Sequence, residues 1–303
     1  MGSADRIDIV DARPGPERGP EPQRPALVDR WSGGVPAEGS VADLVAAEEP
    51  LQVILDDEPF AVVMRTPGHD LELVLGLLFV EGIVSAADDI VEAAVAASAL
   101  EGIEVRAPFT VRPLPEAENL VDLRLRSRPP ARAGWQRNLV ASSACGICGA
   151  AALDALREIL EPLPAGPAFR ASAIARFGAA LREAQRTFDV TGGLHAAGLF
   201  DADGGLRLAR EDVGRHNAVD KVVGHALLAG WLPLHGHALL VSGRASFELA
   251  HKAVAAGVPL MAAVSAPSSL AVHVAHTFGL TLVGFLRGDR WNVYAGAERI
   301  SPG

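Results

Sequence analysis

From Leu194 onward the chain alternates short apolar runs with segments of helical periodicity, and that alternation restricts its architecture more than any other feature. Strands are expected at Leu194 to Phe200, Leu206 to Ala209, Ala238 to Val241, Pro259 to Val264 and Leu280 to Phe285. Helices are expected at Asn217 to Ala229, Ser246 to Ala256 and Ser268 to Phe278. The first two strands form a hairpin across Asp201 to Gly205, and the rest implies a parallel sheet wrapped by helical crossovers. Ligands of such sheets bind beyond the carboxyl ends of the strands, at helix N-termini. Three loops fall there: Ser242 to Ser246, Ser265 to Ser269 and Phe285 to Arg290. The first combines hydroxyls, glycine and arginine and the third glycine and two arginines, compositions suited to phosphate oxygens. The run Glu211 to Asn217, which contains Arg215 and His216, precedes a helix start and has the same character.

The half before this region reads differently. Residues 1–40 are rich in proline, glycine and charge without periodicity, so a disordered tail is expected, with Trp31 as its first anchored side chain. From Leu51 the runs LQVIL and FAVVMRT read as a hairpin, followed by a buried helix from His69 or Asp70 to about Gly82. Short β-like runs between Ile90 and Leu125 complete a smaller α+β part. The expected division is therefore a tail at 1–40, an N-terminal α+β part at 41–135 and an α/β domain at 136–303. Pro162 to Pro167 reads as a linker, and Ala171 to Gln185 as an amphipathic helix.

Of the 303 residues, 49% are apolar, enough for a sizeable core. The longest apolar run of the N-terminal half, Leu73 to Val80, is far too short to span a bilayer, and the first 50 residues do not resemble a secretory signal. A cytoplasmic protein without a membrane partner is expected. The formal charge of −10 argues against nucleic-acid binding, for which a basic stripe would be required.

Both cysteines, Cys145 and Cys148, stand in one loop, SSACGICG, ahead of a helix expected from about Gly149 with Leu153, Leu156, Ile159 and Leu160 on one side. The unpaired amides and positive dipole end of such a helix start favour thiolate over thiol. The pair admits a dithiol redox centre, a zinc site or a persulfide carrier. The zinc deaminase signature is absent, because Ala144 replaces its proline and no histidine has a glutamate two residues later. No metal is therefore assigned. His216 is a candidate proton donor to a leaving thiolate or a hydrogen-bonding partner of phosphate, and His195 a candidate for the same pocket. Lys221 and Lys252 are the only lysines in an arginine-rich chain. A compact ammonium suits either phosphate binding or a solvated helix face.

These motifs together resemble a known family. SSACGICG, TGGLHAAGLF, EDVGRHNAVDKVVG, SGRASFELAHKAV, VSAPSSLAV and TLVGFLRGDRWNVY, with EEPLQV and MRTPGHDLELVLGLLFVEGI, resemble the formate dehydrogenase accessory sulfurtransferases, FdhD, from Glu48 to about Tyr294. The resemblance implies a cytidine-deaminase-like α/β domain without its zinc, with a mixed sheet flanked by helices, and a cytoplasmic homodimer. It implies a sulfurtransferase that moves persulfide sulfur from a cysteine desulfurase to the bis(molybdopterin guanine dinucleotide) molybdenum cofactor, as formate dehydrogenase requires. Cys145 matches the persulfide-bearing position and Cys148 its partner. Phe285, Leu286, Arg287, Gly288, Asp289 and Arg290 match the cofactor-binding segment, in which the position of Asp289 need not be acidic. Arg215, Lys221, Arg244, Arg287 and Arg290 are expected to neutralise the pyrophosphates, with His216 and Ser242 beside them. Two alternatives remain open at this point: a chaperone that binds the guanylated cofactor without chemistry, and a dithiol oxidoreductase.

Overall fold

The computed structural model describes residues 21–96, 107–114, 118–127, 156 and 160–302. Its first elements are two nested hairpins where a disordered tail was expected: β1 (Gln23–Val28) pairs antiparallel with β4 (Val41–Ala46), and at the tip β2 (Trp31–Ser32) pairs with β3 (Val35–Pro36). Glycines in the left-handed region turn this arm, at Gly33, Gly34 and Gly39, so the residues that suggested disorder serve as corners. Trp31 is exposed rather than anchored.

β5 (Glu49–Leu55) and β6 (Glu58–Arg65) form the expected hairpin, turned by Asp56 and Asp57 at positive φ. Then come α1 (Asp70–Val80), β7 (Ile90–Ala96), β8 (Thr110–Leu114) and β9 (Leu120–Leu125). The strands make a mixed five-stranded sheet in the order β6-β5-β9-β7-β8. α1 carries leucine or valine on nearly every side because both of its flanks are covered. Leu73, Val74, Leu75 and Leu78 pack among Leu51, Val53, Val121 and Leu123 of the sheet and, with Leu227 and Leu228, in one cluster. Each such leucine removed from water contributes about 2 kcal/mol.

The second half contains β10 (Phe169–Arg170), α2 (Ala171–Ala184), α3 (Arg186–Thr191), β11 (His195–Asp201), β12 (Leu206–Asp212), α4 (Arg215–Leu228) and β13 (His237–Val241). It continues through α5 (Phe247–Ala255), β14 (Leu260–Ala263), α6 (Ser269–Phe278), β15 (Thr281–Arg287), β16 (Arg290–Ala295) and β17 (Ile300–Ser301). Six of these strands form a mixed sheet in the order β12-β11-β13-β14-β15-β16, with β13, β14 and β15 parallel and the outer neighbours antiparallel. Alternate residues face opposite layers, as a period of two requires. Leu239, Val241, Met261 and Leu282 pack with α4, α5 and α6, whereas Leu240, Leu260, Ala262 and Val283 pack with Ile174, Phe177 and Leu181 of α2. Helices thus flank the sheet on both faces. β16 was not expected, because the chain after the strand that ends near Phe285 reads as a loop. Gly288, at φ 59°, turns the chain back so that Arg287 and Arg290 pair across a hairpin.

α4 is buried from Ala218 to Leu228 because it lies between the six-stranded sheet and α1. It meets α1 at backbone distance: a β-carbon on Gly76 would overlap the carbonyl of Asp220, and one on Gly224 would overlap the carbonyl of Glu72. Buried charges flank this contact. Arg210 donates from Nε and Nη2 to the two oxygens of Glu72 at 2.6 and 2.8 Å, and His225 Nδ1 lies 2.9 Å from Oε1. Burial alone would push the Glu72 carboxyl up, but the charges of Arg210 and His69 and the hydrogen bonds from Arg210 and His225 hold it well below its ordinary 4.5. A depressed folded-state value contributes stability that is fully present above the unfolded value and is lost as pH falls through the folded one. Urea midpoints should therefore drop as pH is lowered below 4.5. About 1.4 kcal/mol is lost for each unit by which the group is depressed. Glu72→Gln should flatten that dependence, and an unaltered slope in this variant would refute the assignment.

Candidate functional site

The four strands β12, β13, β14 and β15 run in one direction, so their carboxyl ends share one edge of the sheet. The antiparallel β11 starts at that edge, with His195 opposite Asp212. The loops that follow the strands are laced to one another. Ser265 N donates to Gly243 O at 3.2 Å, Ser268 N to Ala245 O at 2.9 Å and Phe285 N to Ser265 O at 3.1 Å. Ser246 and Ser268 cap α5 and α6, accepting from Leu249 N and Ala271 N. The loops are therefore pinned by main-chain bonds and helix caps.

Beyond this edge a cavity of about 690 Å³ opens between the strand ends and the pair α2 and α3. Ser242, Leu286, Arg287 and Gly288 line it, which brings together segments that are about 45 residues apart in sequence. His195 lines it as well. Ser242 Oγ accepts from Ala196 N at 2.9 Å and lies 3.3 Å from His195 Nδ1. Burial, then the neighbouring charges of Arg215 and His216, push the His195 imidazole below its ordinary 6.5. Arg215 stands close by: a β-carbon added at Gly243 would lie 3.4 Å from His195 Cε1 and 3.6 Å from Arg215 Cδ. Arg215 Nε is buried with no hydrogen-bond partner among the described residues. It is an unsatisfied cationic donor beside the cavity, of the kind an anionic group would satisfy.

The remaining expected residues are distributed differently. Leu286 has its side chain in the core with Val283 and Phe177, so it forms the floor of the cavity. Phe285 is 40% exposed at φ 55°, in a bulge of β15 where the register with β16 shifts. Asp289 and Arg290 are exposed at the tip of the hairpin and Arg244 is exposed in its loop, and none of the three lines the cavity. His216 turns to the start of α5, with Nε2 3.3 Å from Ser246 Oγ and 3.6 Å from Glu248 Oε2. The hydrogen bond from His216 leads the interactions that hold the Glu248 carboxyl below its usual range against its partial burial.

Lys221 requires a correction. Expected at the pyrophosphates, it is 1% exposed, and its ammonium lies 2.7 Å from Asp212 Oδ2 while donating to Thr66 O at 3.0 Å and Glu211 O at 3.2 Å. Its charge and all three of its protons are already matched, so it cannot serve a ligand. Lys252, buried against Asp220 at 2.5 Å, is a second internal pair rather than a solvated lysine.

Among the side chains of the cavity wall that were not anticipated are Arg182, Gln185 and Phe188. Arg182 sits 4.8 Å from the Phe188 ring centroid and pairs with Asp189. The helix α3 that carries Phe188 follows α2 without a breaker residue, which leaves no sequence signal for the bend. Cys145 and Cys148, with the helix start expected after them, lie outside the described residues. Among the described residues no cluster of three or more metal-ligating side chains occurs, and no helix is long and apolar enough to cross a membrane.

Comparison with known proteins places this geometry in a family. The model of the FdhD/NarQ family matches residues 46–301. A protein of Nocardia farcinica named sulfur carrier protein FdhD is 48% identical over 85% of this chain and 88% of its own. A protein of the same name from Streptomyces avermitilis is 50% identical over 86% and 89%. A crystal structure from Desulfotalea psychrophila, described as a candidate formate dehydrogenase accessory protein, aligns with a TM-score of 0.67 at 25% identity, covering 92% of this chain and 98% of the other. From the hairpin of β5 and β6 to the last strand, the chain belongs to the FdhD/NarQ family.

Proposed function

We propose that this chain is a sulfur carrier that takes sulfane sulfur from a cysteine desulfurase and delivers it to the bis(molybdopterin guanine dinucleotide) molybdenum cofactor, on behalf of formate dehydrogenase. In loading, the Cys145 thiolate attacks the terminal sulfur of the donor persulfide. One S–S bond forms, one breaks, and the donor leaves as thiolate with no net oxidation. Cys148 then stabilises the persulfide, or its thiolate attacks Cys145 Sγ so that a disulfide forms, the bond to the outer sulfur breaks and that sulfur leaves at the oxidation level of sulfide. The observation that carries this reading is the near-half identity to proteins named sulfur carriers across some 85% of the chain.

The cargo is a substrate here, and the residues of the strand edge suit it. The cavity offers apolar walls for a heterocycle, with Arg287 at its rim and the unsatisfied Arg215 Nε beside it for phosphate oxygens. Arg244 and Arg290, exposed at the same edge, would add long-range attraction for an anion. A homodimer in the cytoplasm is part of the same reading.

Native mass spectrometry of the full chain, produced together with a cysteine desulfurase and kept free of reductant, tests it. The expected result is added mass in whole sulfur atoms that dithiothreitol removes and that Cys145→Ala abolishes. Loss of two hydrogens alone would point instead to a dithiol oxidoreductase. A bound zinc ion would also overturn the carrier, and an unmodified mass would leave a cofactor chaperone.

A further inference from the structure

We infer that His195 is a ligand-binding residue of the cavity, a neutral imidazole whose Ser242 hydrogen bond directs its remaining N–H, at Nε2, to a polar atom of the bound molecule. The inference rests on the reading of the cavity as a site for an anionic nucleotide-like ligand.

The hydrogen bonds of Ser242 favour this tautomer. Its Oγ already accepts from Ala196 N at 2.9 Å, which leaves the hydroxyl proton to be donated. Among the described residues, His195 Nδ1 at 3.3 Å is the other partner of that oxygen. If Nδ1 accepts, the proton of the neutral ring resides on Nε2. The ring is half-buried in the cavity wall, and burial, followed by the charge of Arg215, opposes a second proton. Gly243 keeps the space over the Cε1 and Nδ1 edge open. The main chain fixes both partners, because β11 pairs with β13 from Ala197 opposite Val241, two residues from His195 and one from Ser242. Ser242 is accordingly a positioning residue and acts through His195.

Such a donor selects for an acceptor at one place in the cavity. Arginine binds any anion within its reach, whereas a neutral N–H held in one direction discriminates between an oxygen or unprotonated ring nitrogen and a group that is itself a donor. It would add specificity where the arginines supply affinity.

The test uses the full chain with guanosine diphosphate, a commercially available fragment of the cofactor. Nitrogen-15 imidazole spectra at pH 7 are expected to show His195 neutral and protonated at Nε2, with the preference lost in Ser242→Ala. Titration calorimetry is expected to show about tenfold weaker binding for His195→Phe, the loss of one hydrogen bond. Ser242→Ala should fall between this variant and the wild type. Circular dichroism and unfolding midpoints near wild type would show that folding is not the cause. Should His195→Phe fail to fold, the tautomer and the Ser242→Ala titration decide the matter. Binding by the wild-type chain that both variants leave unaltered, or a ring protonated at Nδ1, would overturn this inference alone. No binding by the wild-type chain would overturn the reading of the cavity and the inference with it.

Discussion

Gly224→Ala is expected to abolish recovery of folded protein, and Gly76→Ala to do nearly the same. Alanine is ordinarily the better helix former, by about 1 kcal/mol. At these two sites the added methyl group has no space, because its nearest neighbours are the carbonyl oxygens of Glu72 and Asp220, and a backbone cannot swing aside as a side chain can. To accommodate it, α1 and α4 must separate along their whole contact. Separation would loosen Leu73, Leu75, Leu227 and Leu228 from a common cluster and draw Glu72 away from Arg210. Overpacking a core commonly costs about 1–3 kcal/mol where side chains can adjust, and this case lies above that range. A domain with a total stability of about 5–15 kcal/mol has little left after such a loss. Gly178→Ala is the control. It lies within α2 with nothing within 4 Å of the added carbon, so it should leave stability unchanged or raise it by up to about 1 kcal/mol. Soluble yield and guanidinium unfolding of the three variants, measured side by side, check the prediction. A Gly224→Ala protein with a wild-type midpoint would show that the helices do not meet in this way.

Lys221→Met is the second substitution with a large expected effect, about 3–5 kcal/mol, the cost of leaving one member of a buried ion pair without its partner. Asp212 is fully buried, and its carboxylate also holds Thr66 N, Gly214 N and Asn217 Nδ2. Removing the ammonium leaves that charge uncompensated at the junction of β6, β12 and α4. Lys221→Arg should not rescue it, because a planar fork does not fit three acceptors grouped around a point charge. Thermal and urea unfolding measure the loss. A lysine that served the ligand would give the opposite pattern, a normal midpoint with weakened nucleotide binding.

The sequence conveyed whatever depended on local periodicity. The β5 and β6 hairpin, the all-round apolar α1 and the strand-helix succession after Leu194 appear within a few residues of their expected places, because each announces itself within a window of about ten residues. The edge at which the site would lie followed from the parallel order of the strands. Partnerships between distant residues were not legible. Glu72 and Arg210 are 138 positions apart, and nothing local marks either as buried. Lys221 was misread for the same reason: its rarity drew attention, while Asp212 and Thr66, which account for it, belong to other elements. The turn at Gly288 was expected only as part of a loop, and the strand that follows it, β16, was not anticipated. In the arm of β1 to β4, a composition typical of disorder concealed paired strands. His195 was suspected from its place at a strand start, but its partner Ser242 is 47 positions away.

The contact of α1 with α4 has a further consequence for how the chain can change over generations. A seam made of side chains can drift, one residue enlarging as its neighbour shrinks. A seam in which main chain rests on main chain offers no such exchange, so neither helix can be replaced by one from another lineage without its counterpart. The five-stranded sheet and the six-stranded sheet are therefore expected to vary together, and a change at the cavity end of α4 must remain compatible with the helix that supports it from behind.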